Sequence, residues 1–66
     1  MLSVLELERR KQGLTQMKLR DKANVGLNTI VALEKGNIDG VRVKTLKKIA
    51  KALNTTVSAL FFSDEE

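Results

Sequence analysis

The sequence predicts a compact all-α domain built from five short helices. The chain contains no proline, a residue that interrupts helices. Its β-branched residues are scattered rather than alternating as they would in strands, and residues that begin or end helices recur along its length. With 66 residues, the chain has room for one domain. We place that domain at residues 1–63 and expect the acidic residues 64–66 to form a frayed tail.

The first helix is predicted from about residue 3 to residue 12. Ser3 can cap its N-terminus, and the glutamate three residues later matches a capping box. Val4 and Leu7 share one face of this helix. Gly13 then ends the helix, because glycine favours the conformation that commonly follows a helical C-terminus.

The second and third helices surround a tight turn. The second helix covers residues 15–23, and the threonine at its start is a candidate N-cap. Asn24 follows, and asparagine tolerates the left-handed conformation that such a turn needs. The third helix covers about residues 27–35, with Ile30 and Leu33 one turn apart on its inward side.

The fourth and fifth helices follow a loop at residues 36–42, which is rich in glycine and other turn residues. The fourth helix is predicted at about residues 43–53, and its core face has the spacing of an amphipathic helix. That face consists of Leu46, Ile49, Ala50 and Leu53. Either Thr55 or Thr56 caps a last short helix that extends through residues 57–61.

Composition argues against several classes of protein. The chain has no Cys and no His, so it forms no disulfide and lacks the usual ligands of transition metals. It also lacks the side chains that most often act as base or nucleophile near neutral pH. Its glycines match no phosphate-binding fingerprint. We therefore predict a non-enzymatic protein that uses no metal and no cofactor.

The charge of the chain is unevenly distributed. Its net charge is +4, but residues 1–63 hold all 12 basic residues and five of the 8 acidic ones, a balance of +7. A basic body attracts polyanions such as DNA, RNA or an anionic membrane surface, although the same charge could serve solubility alone. No stretch approaches the roughly 18–20 apolar residues of a membrane span. The apolar start reaches Glu6 without a basic leader, so we expect no signal peptide and a cytoplasmic location.

Two short helices around a tight turn have the geometry of a helix-turn-helix, whose second helix enters a groove of DNA. The side of that helix opposite Ile30 and Leu33 is predicted to read bases. This base-reading set consists of Leu27, Asn28, Val31 and Ala32. The Asn28 amide can bridge N6 and N7 of adenine, and aliphatic side chains can contact a thymine methyl group. The alternative for Asn28 and Thr29 is a role in starting the helix.

A second group of side chains is predicted to bind phosphates of a DNA backbone. The group consists of Gln16, Thr29, Lys35, Asn37, Arg42 and Lys44. Gln16 lies at the start of a helix, where free backbone N–H groups favour an anion. The remaining lysines of the fourth helix, Lys47, Lys48 and Lys51, are interpreted as a solvated face.

Two further features concern structure and assembly. Glu34 is predicted to form a structural ion pair with Arg9 or Arg10 of the first helix. The only aromatic residues are Phe61 and Phe62, and successive helical residues cannot both face one core. One of them is therefore expected to be exposed beside Val57 or Ala59 and to mark a self-association patch. The predicted dimer interface consists of Val57, Phe61 and Phe62. Alternatively, the two aromatic rings straddle the edge of the domain.

Several short motifs occur in order along the chain. They are Gly13-Leu14-Thr15-Gln16, Leu19, Val25, Thr29-Ile30, Leu33-Glu34-x-Gly36, Thr45-Leu46-x-x-Ile49-Ala50-x-Ala52-Leu53 and Leu60-Phe61. With these motifs the chain resembles the Cro/CI-like (XRE-type) helix-turn-helix phage-repressor family of bacterial transcriptional regulators. The resemblance covers nearly the whole chain. It implies a five-helix, lambda-repressor-like domain that binds operator DNA, usually as a two-fold dimer.

The resemblance also implies roles for individual positions. Gln16 would contact a phosphate, Glu34 would pair with an arginine of the first helix, and the C-terminal helix would contribute to a dimer. Base-reading positions would be held by Leu27, Asn28 and Ala32.

The chain departs from the family pattern at several positions. Arg20 stands where a small alanine is usual, Asn24 replaces a turn glycine, and Leu27 stands where glutamine or arginine is common. Base reading should therefore depend less on hydrogen bonds, and Arg20 should extend toward solvent.

Together these features predict a sequence-specific DNA-binding transcriptional regulator. We expect a homodimer that binds a palindromic operator of double-stranded DNA and acts as a repressor, with no small-molecule effector and no membrane contact. The alternative from another class is an antitoxin-like or anti-repressor module that docks a protein partner on Leu27 and Val31. An architectural DNA-binding protein without sequence preference is a further alternative.

Overall fold

Five α-helices make up the computed structural model, which describes residues 2–62. They are α1 (Val4–Lys11), α2 (Gln16–Ala23), α3 (Leu27–Glu34), α4 (Val43–Ala52) and α5 (Val57–Phe61). No strand occurs within residues 2–62. The predicted all-α class and the five helices are confirmed. The acidic tail that was predicted at residues 64–66 lies outside the described residues.

The predicted helix bounds are accurate to one residue. The differences arise because several terminal residues act as caps rather than as helical residues. These residues are Ser3, Gln12, Thr15, Lys35 and Leu53. Cap residues flank the helix and take part in only some of its hydrogen bonds, so sequence patterns place them on either side of the boundary.

Three hydroxyl groups fix the N-termini of α1, α2 and α5. The side-chain oxygens of Ser3, Thr15 and Thr56 each accept a hydrogen bond from the backbone N–H three residues later, at 3.1, 3.0 and 3.0 Å. Each such cap satisfies a donor that the helix itself leaves unpaired, a contribution of about 1 kcal/mol. Of the two threonines considered for α5, Thr56 is the cap.

Asparagine residues end α2 and α4 in the left-handed conformation. Asn24 has φ 57° and Asn54 has φ 59°. Asn24 also donates its backbone N–H to the carbonyl oxygen of Arg20 at 2.8 Å. Asparagine tolerates this conformation better than other side-chain-bearing residues. The left-handed position of the turn between α2 and α3 is therefore held by asparagine rather than by glycine, and the prediction for Asn24 is confirmed.

The hydrophobic core joins all five helices. α2 packs against α3 and α4, α1 packs against α3 and α5, and α4 packs against α5. The buried apolar residues are Leu5, Leu19, Ala23, Ile30, Leu33, Leu46, Ile49, Ala50, Ala52, Leu53 and Leu60. This set contains the predicted core faces of α3 and α4. It leaves the opposite face of α3 outside the core.

The face of α1 that Val4 and Leu7 share is not the buried face of this helix. Val4 and Leu7 are 40% and 47% exposed, whereas Leu5 and Arg9 are buried. Residues 5 and 9 are four apart and share one side of the helix. Apolar spacing does not indicate this buried side, because one of its two members is an arginine, and arginine is rarely buried without a partner.

Arg20, which stands where the family pattern has a small alanine, points its side chain toward solvent. Its guanidinium group donates to the Asp21 carboxylate at 2.9 Å and 3.0 Å. Leu19 and Ala23 supply the buried side of α2 instead. The large side chain therefore does not separate α2 from α3.

Candidate nucleic-acid interface

The outward side of α3 presents a mixed apolar and amide surface. Asn28 is exposed, and the three aliphatic members of the predicted base-reading set are half-buried. Ile30 and Leu33, on the other side of the same helix, are 0% and 4% exposed. No charged side chain precedes Glu34 in this helix. The four predicted base-reading residues thus lie on a side of α3 that the core does not occupy.

A nearly buried ion pair ties α1 to the C-terminal end of α3. The Arg9 Nε donates to Glu34 Oε2 at 2.6 Å, and the two side chains are only 8% and 5% exposed. Arg9 Nη1 also donates to the carbonyl oxygen of Leu14 at 2.7 Å. One guanidinium group therefore fixes α1, the turn before α2, and α3 relative to one another.

The sequence left open which arginine pairs with Glu34, and the structure gives that position to Arg9. Arg10 instead donates to the Glu6 carboxylate at 2.6 Å, and its side chain is 58% exposed. Successive residues point about 100° apart around a helix, so only one of the two can face α3.

Gln16 joins the same cluster from the first position of α2. Its Nε2 donates to Glu34 Oε1 at 2.9 Å. A glutamine amide carries two N–H donors and one oxygen, and this is the only side-chain hydrogen bond that Gln16 forms within residues 2–62. Sequence reasoning missed this contact, because no local pattern relates positions 18 residues apart.

The other predicted phosphate ligands lie around the ends of α3 and α4. Lys35 and Asn37 follow α3, whereas Arg42 and Lys44 stand at the start of α4, and all four are exposed. Thr29 is half-buried. None of the four exposed side chains takes part in an ion pair or side-chain hydrogen bond within the described part of the chain. They are therefore available to an anionic partner.

Positive charge dominates the surface because residues 2–62 contain 12 basic side chains and only five acidic ones. Within residues 2–62, every acidic side chain except that of Asp39 lies within salt-bridge distance of an arginine or lysine. Eight basic side chains in the same range have no acidic partner. They are Lys18, Lys22, Lys35, Arg42, Lys44, Lys47, Lys48 and Lys51.

The predicted dimer patch lies at the C-terminal end of the described chain. Val57 and Phe61 are half-buried and pack against the core, whereas Phe62 is 47% exposed. Phe61 also lines a groove of about 290 Å³ between α1 and α5. Leu2 and Val4 add exposed apolar surface at the start of the chain. The two phenylalanines thus divide between core and surface.

Two further observations concern the range 2–62. No group of three His, Cys, Asp or Glu side chains there is arranged to hold a metal ion. None of its helices combines the length and the apolar character that crossing a membrane requires.

The fold and this surface together define a small helix-turn-helix protein. In a comparison with known protein families, the helix-turn-helix family HTH_3 matches residues 5–60 of this chain. The chain belongs to this family, and the resemblance to XRE-type regulators is confirmed. DNA binding and transcription regulation are the activities of that class.

A curated relative supports the same family. The chain is 40% identical over 58 residues to an uncharacterized HTH-type transcriptional regulator of Archaeoglobus fulgidus. The aligned region covers 88% of this chain and 81% of the relative. No solved structure matches the chain significantly.

Proposed function

We propose that this protein is a sequence-specific transcriptional repressor that binds a palindromic operator as a homodimer, with α3 in the major groove. The observation that carries the proposal is the outward side of α3. It exposes an amide among aliphatic groups, and unpaired basic side chains lie around the ends of α3 and α4. A helix fits the major groove, where base pairs present distinct patterns of donors, acceptors and methyl groups.

In this proposal Asn28 selects a base and its aliphatic neighbours complete the recognition. Its amide donates to N7 and accepts from N6 of an adenine. Leu27, Val31 and Ala32 contact thymine methyl groups and exclude water from the groove. The selection of bases thus depends on one hydrogen-bonding residue and on shape.

The phosphate ligands set the position of α3 relative to the duplex. Lys35, Arg42 and Lys44 supply charge, whereas Gln16, Thr29 and Asn37 supply neutral donors. Contacts of this kind fix orientation without reading sequence. They also make binding depend on salt, because each neutralised phosphate releases counterions.

We further propose that Phe62, with Val57 and Phe61, joins two subunits. Exposed aromatic surface next to a groove favours self-association. A two-fold dimer would place its two α3 helices in successive major grooves about 34 Å apart. A dimer seated on a promoter excludes other proteins from the same DNA, so repression needs no additional surface. We also propose a cytoplasmic location.

Selection of bound sites from a pool of random duplexes tests this function. The expected result is one enriched site with two inverted half-sites about 10 base pairs apart, centre to centre. Recovery of sequences no different from the starting pool would contradict sequence-specific recognition and favour an architectural protein.

A second candidate function follows from the aliphatic groups on α3. Leu27 and Val31 could dock an apolar helix of a protein partner, as in an antitoxin-like or anti-repressor module. Salt dependence separates the two functions. Six basic side chains of a dimer on phosphates predict a slope of about −5 for log K against log salt concentration, whereas apolar docking predicts a slope near zero.

A further inference from the structure

We propose that Glu34 is a positioning residue for DNA binding, because its carboxylate holds the Gln16 amide so that the second amide N–H binds a phosphate. This inference rests on the proposed function, since it requires a duplex on the outer side of α3. It assigns a binding role to a residue that otherwise belongs to the internal ion pair.

The carboxylate of Glu34 distributes its two oxygens between two partners. Oε2 accepts from Arg9 Nε at 2.6 Å, and Oε1 accepts from Gln16 Nε2 at 2.9 Å and from Arg9 Nη2 at 3.4 Å. Arg9 fixes the orientation of the carboxylate, and the carboxylate in turn fixes one N–H of Gln16. Because an amide is planar, the direction of the second N–H is then fixed as well.

This arrangement matters because glutamine is a long and flexible side chain. A free glutamine loses rotamer entropy when it binds a phosphate, whereas one already held in place loses less. Gln16 is half-buried at the N-terminus of α2. The hydrogen bond to Glu34 therefore prepares this side chain for the backbone of the duplex before DNA arrives.

The direction of the change in DNA affinity distinguishes a positioning role of Glu34 from the effect of its negative charge alone. A carboxylate close to a phosphate repels it, so loss of the Glu34 charge alone should strengthen DNA binding. Loss of a positioning group should weaken it. The Arg9 side chain, which is only 8% exposed, neutralises this carboxylate and so permits an acid beside the DNA backbone.

The test is a double-mutant cycle on the full-length protein. Gln16→Ala is combined with the paired replacement Arg9→Met and Glu34→Met, which leaves net charge unchanged and no unpaired buried charge. The matched control is Lys11→Met with Glu8→Met, which removes another ion pair of α1 with the same charge balance and leaves the partners of Arg9 in place. Dissociation constants are measured on the selected duplex and on a scrambled duplex, and thermal unfolding shows that each variant is folded.

The proposal predicts three linked results. Gln16→Ala weakens binding about tenfold per subunit on both duplexes, as expected for a hydrogen bond to a charged group. The paired Arg9 and Glu34 replacement weakens binding by a similar factor, and adding Gln16→Ala to it changes the affinity less than about twofold, the coupling expected of contacting residues. The control pair leaves the affinity within about twofold of the original.

A chemical probe adds a readout that a purely structural role would not move. A duplex in which single phosphates are replaced by neutral methylphosphonates should lose affinity at the phosphate that Gln16 contacts. The paired Arg9 and Glu34 variant should be insensitive to that same replacement.

Several outcomes would overturn the inference. A full tenfold effect of Gln16→Ala in the paired background would show that Gln16 acts without Glu34, and an unchanged or stronger affinity of the folded paired variant would exclude positioning. If Gln16→Ala has no effect, both the phosphate role of Gln16 and this inference fail, while sequence-specific binding stands. If the unmodified protein binds neither duplex, the proposed function itself fails.

A second variant covers the case in which the paired replacement does not fold, since Arg9 also holds the Leu14 carbonyl. Glu34→Gln keeps the volume but has one oxygen to share between Arg9 and Gln16. Positioning predicts weaker binding of this variant despite the loss of a negative charge. Stronger binding would overturn the inference.

Discussion

The Arg9–Glu34 pair allows a sharp prediction about folding stability. Glu34→Ala would leave the Arg9 guanidinium group, whose side chain is 8% exposed, without its closest acidic partner. Its remaining partners would be the Leu14 carbonyl at 2.7 Å and, more weakly, the Glu6 carboxylate at 3.7 Å. Removing one partner of a buried ion pair costs about 3–5 kcal/mol, and the Glu6 carboxylate offsets only part of this loss because it already binds Arg10 at 2.6 Å. A domain of 66 residues has a total stability of about 3–10 kcal/mol at 0.05–0.15 kcal/mol per residue. The replacement should therefore lower the free energy of unfolding by a large fraction of its total.

Urea denaturation followed by circular dichroism measures this loss against two matched variants. Asp21→Ala removes an ion pair whose side chains are 37% and 69% exposed, and it should cost less than about 1 kcal/mol. Arg9→Met with Glu34→Met removes both buried charges, and its stability should stay near that of the original protein or exceed it. A loss for Glu34→Ala as small as that for Asp21→Ala would refute the reasoning, because it would mean that water or the Glu6 carboxylate fully compensates the Arg9 charge.

Two further predictions concern assembly and helix capping. Phe62→Glu should lower dimerisation measured by analytical sedimentation while leaving thermal unfolding of the monomer unchanged, because this side chain is 47% exposed and outside the core; an unchanged dimer would remove it from the interface. Thr15→Ala removes the acceptor for the Lys18 backbone N–H at 3.0 Å and should lower the free energy of unfolding by about 1 kcal/mol, whereas a neutral effect would show that water replaces the cap.

Local chemistry explains why the helices were predictable from the sequence. Ser3, Thr15 and Asn24 act through contacts with residues three or four positions away, and such contacts are visible in a linear pattern. The core side of α4 was equally predictable, because Leu46 and Ile49 repeat at helical spacing and every buried residue of this helix is apolar.

Long-range contacts explain what the sequence did not reveal. The sequence did not identify the buried face of α1, because its second buried member is Arg9, whose partner lies 25 positions away. The hydrogen bond from Gln16 to Glu34 spans 18 positions and likewise has no local signature. The sequence placed Gln16 and Glu34 in separate groups, a phosphate ligand and an ion-pair partner, whereas the fold brings them into contact.

The two adjacent arginines of α1 illustrate a second limit of prediction from sequence. Arg9 and Arg10 are the same residue type at neighbouring positions, so composition cannot distinguish their roles. Which of the two faces Glu34 depends on the angle at which α1 crosses α3, and packing of the whole core sets that angle.

Binding of Asn28→Ala to the selected duplex and to a scrambled duplex tests most directly whether the outer side of α3 reads bases. We predict a loss of about 1–3 kcal/mol on the selected duplex, with affinity for the scrambled duplex nearly unchanged, because a bidentate amide contact discriminates one base pair. An equal loss on both duplexes, or no loss on either, would contradict base reading by this side of α3.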